Sequence, residues 1–233
     1  MNAESPRPDL PDLRGVRAAL IDLDGTMIDT APDMHAAVNL IRAEFSLPAI
    51  AIEEVRKFIG KGTENLVRQS LMVDTDAAEA ELMMERALDY FMTHYATISG
   101  SLSSVYPGVI EGLEAFRQKG VRLACITNKL TVFAGPLLAR MGLISYFDAL
   151  YCADTLPRKK PDPLPLITAC RFFELEPHQA VAIGDSINDA LAARAAGCWL
   201  LNVPYGYNHG EAVQNLDTDG IVESLLEAAR LVT

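Results

Sequence analysis

Two carboxylates two residues apart, Asp22 and Asp24, stand in the run Asp22-Leu23-Asp24-Gly25-Thr26, directly after the apolar stretch from Ala18 to Ile21. The pattern reads as a buried strand ending in an acidic turn, so both acids can reach one small reactive centre. A phosphate monoester and a metal ion suit such a centre. Asp22 can act as the nucleophile on phosphorus, forming an aspartyl-phosphate and splitting one hard displacement into two easier ones. Asp24 can then protonate the leaving alkoxide and later take a proton from the hydrolytic water. To serve first as an acid it must start protonated, which neighbouring negative charge favours.

Three later segments end the same way. Thr127, with Asn128 behind it, closes the apolar run Val121 to Thr127 and can donate to phosphoryl oxygens. Lys160 lies in the proline-stiffened loop Lys159-Lys160-Pro161-Asp162-Pro163, where its ammonium can neutralise the phosphoryl group and the nucleophile. Asp185 follows the run Val181 to Gly184. Two unit charges ~4 Å apart at an effective dielectric near 20 repel by about 4 kcal/mol, so Asp22, Asp185 and a phosphate dianion together require compensation on the order of 10 kcal/mol. A hard divalent cation is implied, and oxygen-only ligation without nearby His or Cys favours Mg²⁺. Asp22 and Asp185 are its expected side-chain ligands, with Asp24 contributing through its backbone carbonyl.

These residues must be brought together by their elements. Strand-like runs at 17–21, 121–127, 149–152, 181–184 and 199–203 alternate with helical stretches at 109–118, 131–141, 164–173 and 187–196, which predicts an α/β fold with a doubly wound parallel sheet. All the strand ends carrying polar residues then share one edge. Between Thr30 and about Tyr106 no strand is evident, while helical spacing recurs at 34–45, 52–58 and 63–72 and after Asp76. The expected organisation is a flexible N-terminus at 1–15, a catalytic core from 16–29 and 105–233, and an inserted helical cap at 30–104.

Composition narrows the partners. The chain has 233 residues, half of them hydrophobic, and a formal net charge of −11. That balance disfavours nucleic acid and anionic membranes. Short apolar runs and a proline-containing start predict neither a membrane span nor a secretory signal, hence a cytoplasmic protein. Cys125, Cys152, Cys170 and Cys198 lack zinc-ligand spacing and read as reduced buried thiols.

The chain resembles the haloacid-dehalogenase-superfamily phosphatases, on the strength of Asp22-Leu23-Asp24-Gly25-Thr26, Thr127-Asn128, Lys160-Pro161-Asp162-Pro163 and Gly184-Asp185-Ser186-Ile187-Asn188-Asp189. The resemblance implies a Rossmann-like core, nucleophile and acid/base roles for Asp22 and Asp24, and a position for Asp189 that orients the metal site from behind its ligands. Asp24 separates the chain from the dehalogenases of the superfamily, which lack an acid there. Within the phosphatases it looks most like the bacterial phosphoglycolate phosphatases, through Ile59-Gly60-Lys61-Gly62, the loop from Leu156 to Pro163, and Pro204-Tyr205-Gly206-Tyr207-Asn208. That likeness implies hydrolysis of 2-phosphoglycolate. So small a substrate offers only a carboxylate beyond the phosphoryl group. Selectivity then needs a cation or backbone donors brought in by cap closure, and Lys61 between Gly60 and Gly62 can supply both. Other small sugar or amino-sugar phosphates, or a sugar-phosphate mutase reaction, use the same chemistry. A phosphoacceptor signalling domain shares the acidic cluster, Thr and Lys, but accepts phosphate on a later strand and lacks a large helical insert. The expected partner is a small phosphate ester, acted on by a monomer or homodimer.

Overall fold

In the computed structural model, which describes residues 10–232, six strands form one parallel sheet: β1 (Ala18–Ile21), β4 (Arg122–Ile126), β5 (Ala149–Tyr151), β6 (Ala180–Gly184), β7 (Trp199–Asn202) and β8 (Gly220–Ile221). Their spatial order is β5-β4-β1-β6-β7-β8, with every neighbouring pair parallel. All four residues of β1 are buried. Its side chains alternate between two apolar clusters, Ala19 and Ile21 in one and Ala18 and Leu20 in the other, as the period of two requires.

Helices α5 (Val109–Gln118), α6 (Thr131–Arg140) and α9 (Leu225–Leu231) supply the first cluster; α7 (Leu164–Phe172) and α8 (Ile187–Ala196) supply the second. The layers are thus helix, sheet, helix, as the alternating sequence pattern predicts. From β1 the chain builds outward through β4 and β5, then returns to β6 and builds the other way. The order reverses at β1, so a crevice opens beyond its carboxyl end. Asp22 is the first residue past that end.

Four helices, α1 (Ala31–Glu44), α2 (Ile52–Phe58), α3 (Thr63–Leu71) and α4 (Ala77–Ile98), occupy the chain between two short strands, β2 (Ile28–Asp29) and β3 (Ser104–Val105). They share their own core, with Val38, Ile41, Leu71 and Phe91 among its buried members. The side chain of Asp76 caps α4 by accepting from the Ala78 and Glu79 amides, each at 2.9 Å. No helix among the described residues is long and apolar enough to cross a membrane.

Two expectations are corrected, and two elements are added. β2 and β3 pair antiparallel at the two entrances to the helical block, where no strand is evident in the sequence; two residues each are too few to show a period. β8 and α9 were likewise not anticipated. Of the stretch 1–15 expected to be flexible, residues 1–9 lie outside the described residues, but Leu13 is fully buried and Leu10 packs against the same cluster. Leu10 and Pro11 lie over Gly220 of β8, where a Cβ would come within 3.0 Å of both.

The return from the helical block is pinned by Asp33, fully buried in α1. Its carboxylate accepts from the Gly100 amide at 2.6 Å, the Leu102 amide at 2.7 Å and the Ser103 hydroxyl. Asp33→Ala would strand all three donors and should cost about 3 kcal/mol, lowering Tm by roughly 6–12 °C for a chain of this size. Thermal melts of the variant read this directly; an unchanged Tm would show that water replaces the carboxylate.

Candidate active site

At the carboxyl end of β1, the tight turn that carries the acids needs Gly25 at φ 84°, a conformation that favours glycine. A Cβ there would also lie 2.5 Å from Asp185 Oδ2. The turn after β1 and the one after β6 therefore interlock. Asp185 Oδ1 accepts from the Thr26 hydroxyl at 3.1 Å and Oδ2 from the Tyr207 amide at 2.7 Å.

Asp22, Asp185 and Asp189 are all buried, and one oxygen from each lies within 4.8 Å of the others. Lys160 reaches in from the proline loop, its Nζ 2.9 Å from Asp22 Oδ1 and 2.6 Å from both Asp189 Oδ1 and the Ile126 carbonyl oxygen. Burial alone would push this lysine down; the Asp189 and Asp22 carboxylates more than offset that and hold it above its ordinary value. Burial, then Asp189, lifts the Asp185 carboxyl to about 7. Burial also pushes Asp22 well above the usual carboxylate range, against the pull of Lys160 and with the push of Asp189 and Asp185. Three carboxylates against one ammonium leave an excess of negative charge in a dry site.

That excess is the test of whether a cation fits. The donors are hard oxygens, and Asp22 Oδ1 is buried with no hydrogen bond of acceptable geometry, so the set suits Mg²⁺ or a similar ion. Asp189, expected behind the ligands, is close enough to join them. It is also committed elsewhere, since its Oδ2 accepts from the Ser186 amide at 3.1 Å and hydroxyl at 2.7 Å and caps α8. The Asp24 carboxylate stands outside the group. Its Oδ1 accepts from the Thr30 hydroxyl at 2.6 Å and Lys129 Nζ at 2.9 Å, so its nearest charge is a cation and not the negative neighbour expected.

A narrow cavity of about 30 Å³ lies over Asp22 and Asp24. Thr127, Asn128 and Lys129 line it from the sheet side; Met34, Ile59, Leu66, Phe91 and Tyr95 line it from the helical block. The helical block forms its outer wall, so the space open to an ester depends on how closely the block sits. Polar ties hold the block down: the Asn128 side-chain amide donates to the Gly60 carbonyl at 2.9 Å, Lys129 Nζ to Tyr95 Oη at 2.8 Å, and Lys159 Nζ to the Lys61 carbonyl at 3.1 Å.

The expected site residues divide accordingly. Asp22, Asp24, Thr127 and Asn128 line one cavity; Lys160, Asp185 and Asp189 support it from beneath. Asn128 uses its amide on Gly60 and on the Lys160 carbonyl at 2.8 Å, so that side chain does not offer its donors to a phosphoryl oxygen. Lys160 is similarly surrounded by protein oxygens and faces Asp22. The Lys61 side chain is exposed, and Gly60 and Gly62 line the cavity in its place. Tyr207, of the motif Pro204 to Asn208, ties the crevice to the helical block: its hydroxyl accepts from the Thr30 and Ala31 amides at 2.8 and 3.0 Å and donates to Asp29 at 2.7 Å.

Sequence reasoning missed Lys129, Thr30 and Tyr95. Lys129 was the most accessible of these, a cation in the same turn as Thr127. Tyr95 carries no local signal, because it reaches the site across a chain separation of 34 positions.

A parallel α/β core, paired acids beyond its central strand and a helical block over them define a hydrolase of the haloacid-dehalogenase type. The family model for haloacid dehalogenase-like hydrolases matches residues 19–203, and the chain belongs to that family. Among its relatives, the phosphoglycolate phosphatase of Nitrosospira multiformis is 46% identical over 217 residues, covering 93% of this chain and 96% of the relative. That of Thiobacillus denitrificans is 45% identical, covering 94% and 96%. The crystal structure of a predicted phosphoglycolate phosphatase from Haemophilus somnus superposes with a TM-score of 0.85 at 30% identity, over 93% of this chain and 98% of that one.

Proposed function

We propose that this chain hydrolyses 2-phosphoglycolate to glycolate and phosphate through an aspartyl-phosphate on Asp22. The observation that carries this reading is the narrow cavity holding Asp22 and Asp24 with one lysine, in a chain similar over nearly all its length to phosphoglycolate phosphatases. Beyond the phosphoryl group 2-phosphoglycolate carries only a carboxylate, which suits a cavity lined, among the described residues, by a single cation.

Asp22 attacks phosphorus as the ester P–O bond breaks, and Asp24 gives a proton to the departing glycolate oxygen. The bound phosphoryl dianion supplies the negative neighbour that Asp24 lacks in the free protein. Water then attacks the aspartyl-phosphate while Asp24 takes its proton, releasing phosphate and restoring Asp22. Thr127 donates to the phosphoryl oxygens, and Lys160 with Asp189 fixes Asp22 from behind. Mg²⁺, held by Asp22 and Asp185 with the Asp24 backbone carbonyl, would supply the positive charge that the carboxylates and phosphoryl oxygens lack. Tyr95 and the apolar helical wall exclude bulk water during the reaction.

Steady-state turnover of the purified protein across small phosphate esters decides the substrate. 2-Phosphoglycolate should give the highest kcat/KM; a rank well below hexose or amino-sugar phosphates rejects it. A long-lived aspartyl-phosphate would favour a signalling phosphoacceptor.

The cation makes its own prediction. Because Asp185 is held near 7 when folded, above its unfolded value, its stabilising contribution to the metal-free protein is complete below about pH 4 and lost as pH rises through 7. Mg²⁺ competes with that proton. The rise in Tm on adding Mg²⁺ to EDTA-treated protein should therefore be larger at pH 8 than at pH 5.5. Equal increments would mean that no proton competes at Asp185, and no increment at either pH would argue against a cation at these carboxylates.

A further inference from the structure

The cavity over Asp22 and Asp24 has one cation in its lining among the described residues, Lys129. This side chain is 5% exposed, and its position is set by two contacts, 2.9 Å to Asp24 Oδ1 and 2.8 Å to Tyr95 Oη. The ammonium also lies 4.8 Å from the centre of the Tyr95 ring, a favourable placement for a desolvated cation. An ammonium has three donors, and those two contacts occupy two of them. The third is available to a ligand.

The other lysines near the site are differently placed. Lys160 Nζ is enclosed by the Ile126 carbonyl, Asp189 and Asp22. Lys159 donates to the Lys61 carbonyl, and Lys61 itself is exposed. A second anionic group of a substrate held in this cavity therefore has one cation to meet.

Its place follows from connectivity. In a phosphorylated α-hydroxy acid, one carbon separates the ester oxygen from the carboxylate. The ester oxygen must face Asp24, which protonates it, and the carboxylate then falls beside whatever adjoins Asp24. Two of the described residues adjoin it: Thr30, whose one hydroxyl proton is already given to Asp24, and Lys129, the charged neighbour with a donor to spare.

We propose that Lys129 is the specificity-determining residue for the substrate carboxylate, taking over the part that the sequence suggests for Lys61; this deepens the 2-phosphoglycolate reading and rests on it. The buried ammonium binds the carboxylate through its third donor, while Tyr95, arriving with α4, orients it when the helical block is down. Selectivity thus resides in a core lysine presented by the turn after β4.

The experiment compares 2-phosphoglycolate with 2-hydroxyethyl phosphate, which replaces the carboxylate by a neutral hydroxymethyl group. The readout is the ratio of their kcat/KM values in wild type, Lys129→Met, Lys129→Gln, Lys129→Arg and Lys61→Ala, with folding checked by melting. Truncating one member of a buried charge pair is worth about 100-fold, so the ratio should fall by that factor in the Met and Gln variants. It should be largely retained in Lys129→Arg and in Lys61→Ala. If the Met or Gln variant slows both esters equally, Lys129 serves only Asp24 and the proposal fails. It fails equally if Lys61→Ala removes the preference, a test on an exposed residue that does not depend on the folding of the Lys129 variants. A wild-type enzyme without preference between the two esters overturns the substrate reading itself, and the proposal with it.

Discussion

Asp22→Asn is expected to abolish turnover, by at least about 10⁴-fold in kcat, the scale seen when a catalytic nucleophile is removed. The amide fills the same space but cannot attack phosphorus, and no other carboxylate can replace it. Asp185 is held by Thr26 and the Tyr207 amide, Asp189 by Ser186 and Lys160, and Asp24 by Thr30 and Lys129. The same substitution should leave the metal-free protein as stable as wild type or more so at pH 8. Asp22 is lifted well above the usual carboxylate range by burial and by the neighbouring acids, so a neutral side chain relieves repulsion at a pH where the others ionise. Activity lost together with stability kept or gained distinguishes a reacting group from a structural one. Kinetics on fresh protein free of deamidation, with melts in EDTA, check both halves. An active Asp22→Asn protein would end the covalent scheme.

Asp24→Asn should lower kcat by about 10²–10⁴-fold, the range of general acid-base catalysis, with folding retained. Asn keeps an acceptor for the Thr30 hydroxyl and Lys129, so the turn should keep its shape; what it loses is the proton exchanged with the ester oxygen and the water. The leaving group makes the test specific. A phenolate such as that of p-nitrophenyl phosphate departs with little help from an acid, whereas the glycolate alkoxide needs the proton. In single-turnover measurements, phosphoryl transfer from p-nitrophenyl phosphate should lose far less than transfer from 2-phosphoglycolate. Equal losses would assign Asp24 to positioning and not to proton transfer.

Much of the framework was legible because it depends on local order. The apolar runs that became β1, β4, β6 and β7 announce themselves through burial on both faces, and the acids, Thr127 and Asp185 follow their ends. Once those strands lie parallel, their carboxyl ends must share an edge. The helical block was legible for the same reason, as periodicity and the Asp76 cap lie within a few residues of each other. β2 and β3 were not, because two-residue strands are made by their partner across the sheet and not by their own pattern.

The polar contacts within the site obey a different rule. A charged residue's partner in a buried site depends on direction and distance across the fold, which spacing along the chain does not encode. Lys160 stands beside Asp22, yet its contacts with Asp189 and Ile126 turn it toward the floor of the site. Asn128 follows Thr127, yet spends its amide on Gly60 and Lys160. Tyr207 was visible only as an aromatic near the last strands, and its bonds to Thr30, Ala31 and Asp29 exist because β7 and the acidic turn meet at one edge.

Strand burial and strand ends are local properties, so the parallel core, the helical block and the order in which the acids, Thr127, Lys160 and Asp185 are delivered follow from the pattern of residues along the chain. Packing across the fold sets Asp24 against Lys129, brings Asp189 close enough to join Asp22 and Asp185, and leaves Lys61 exposed while Lys129 lines the cavity. Those relations depend on how the helical block settles over the crevice, and there a Coulombic pairing is fixed by a few ångströms that no residue spacing records.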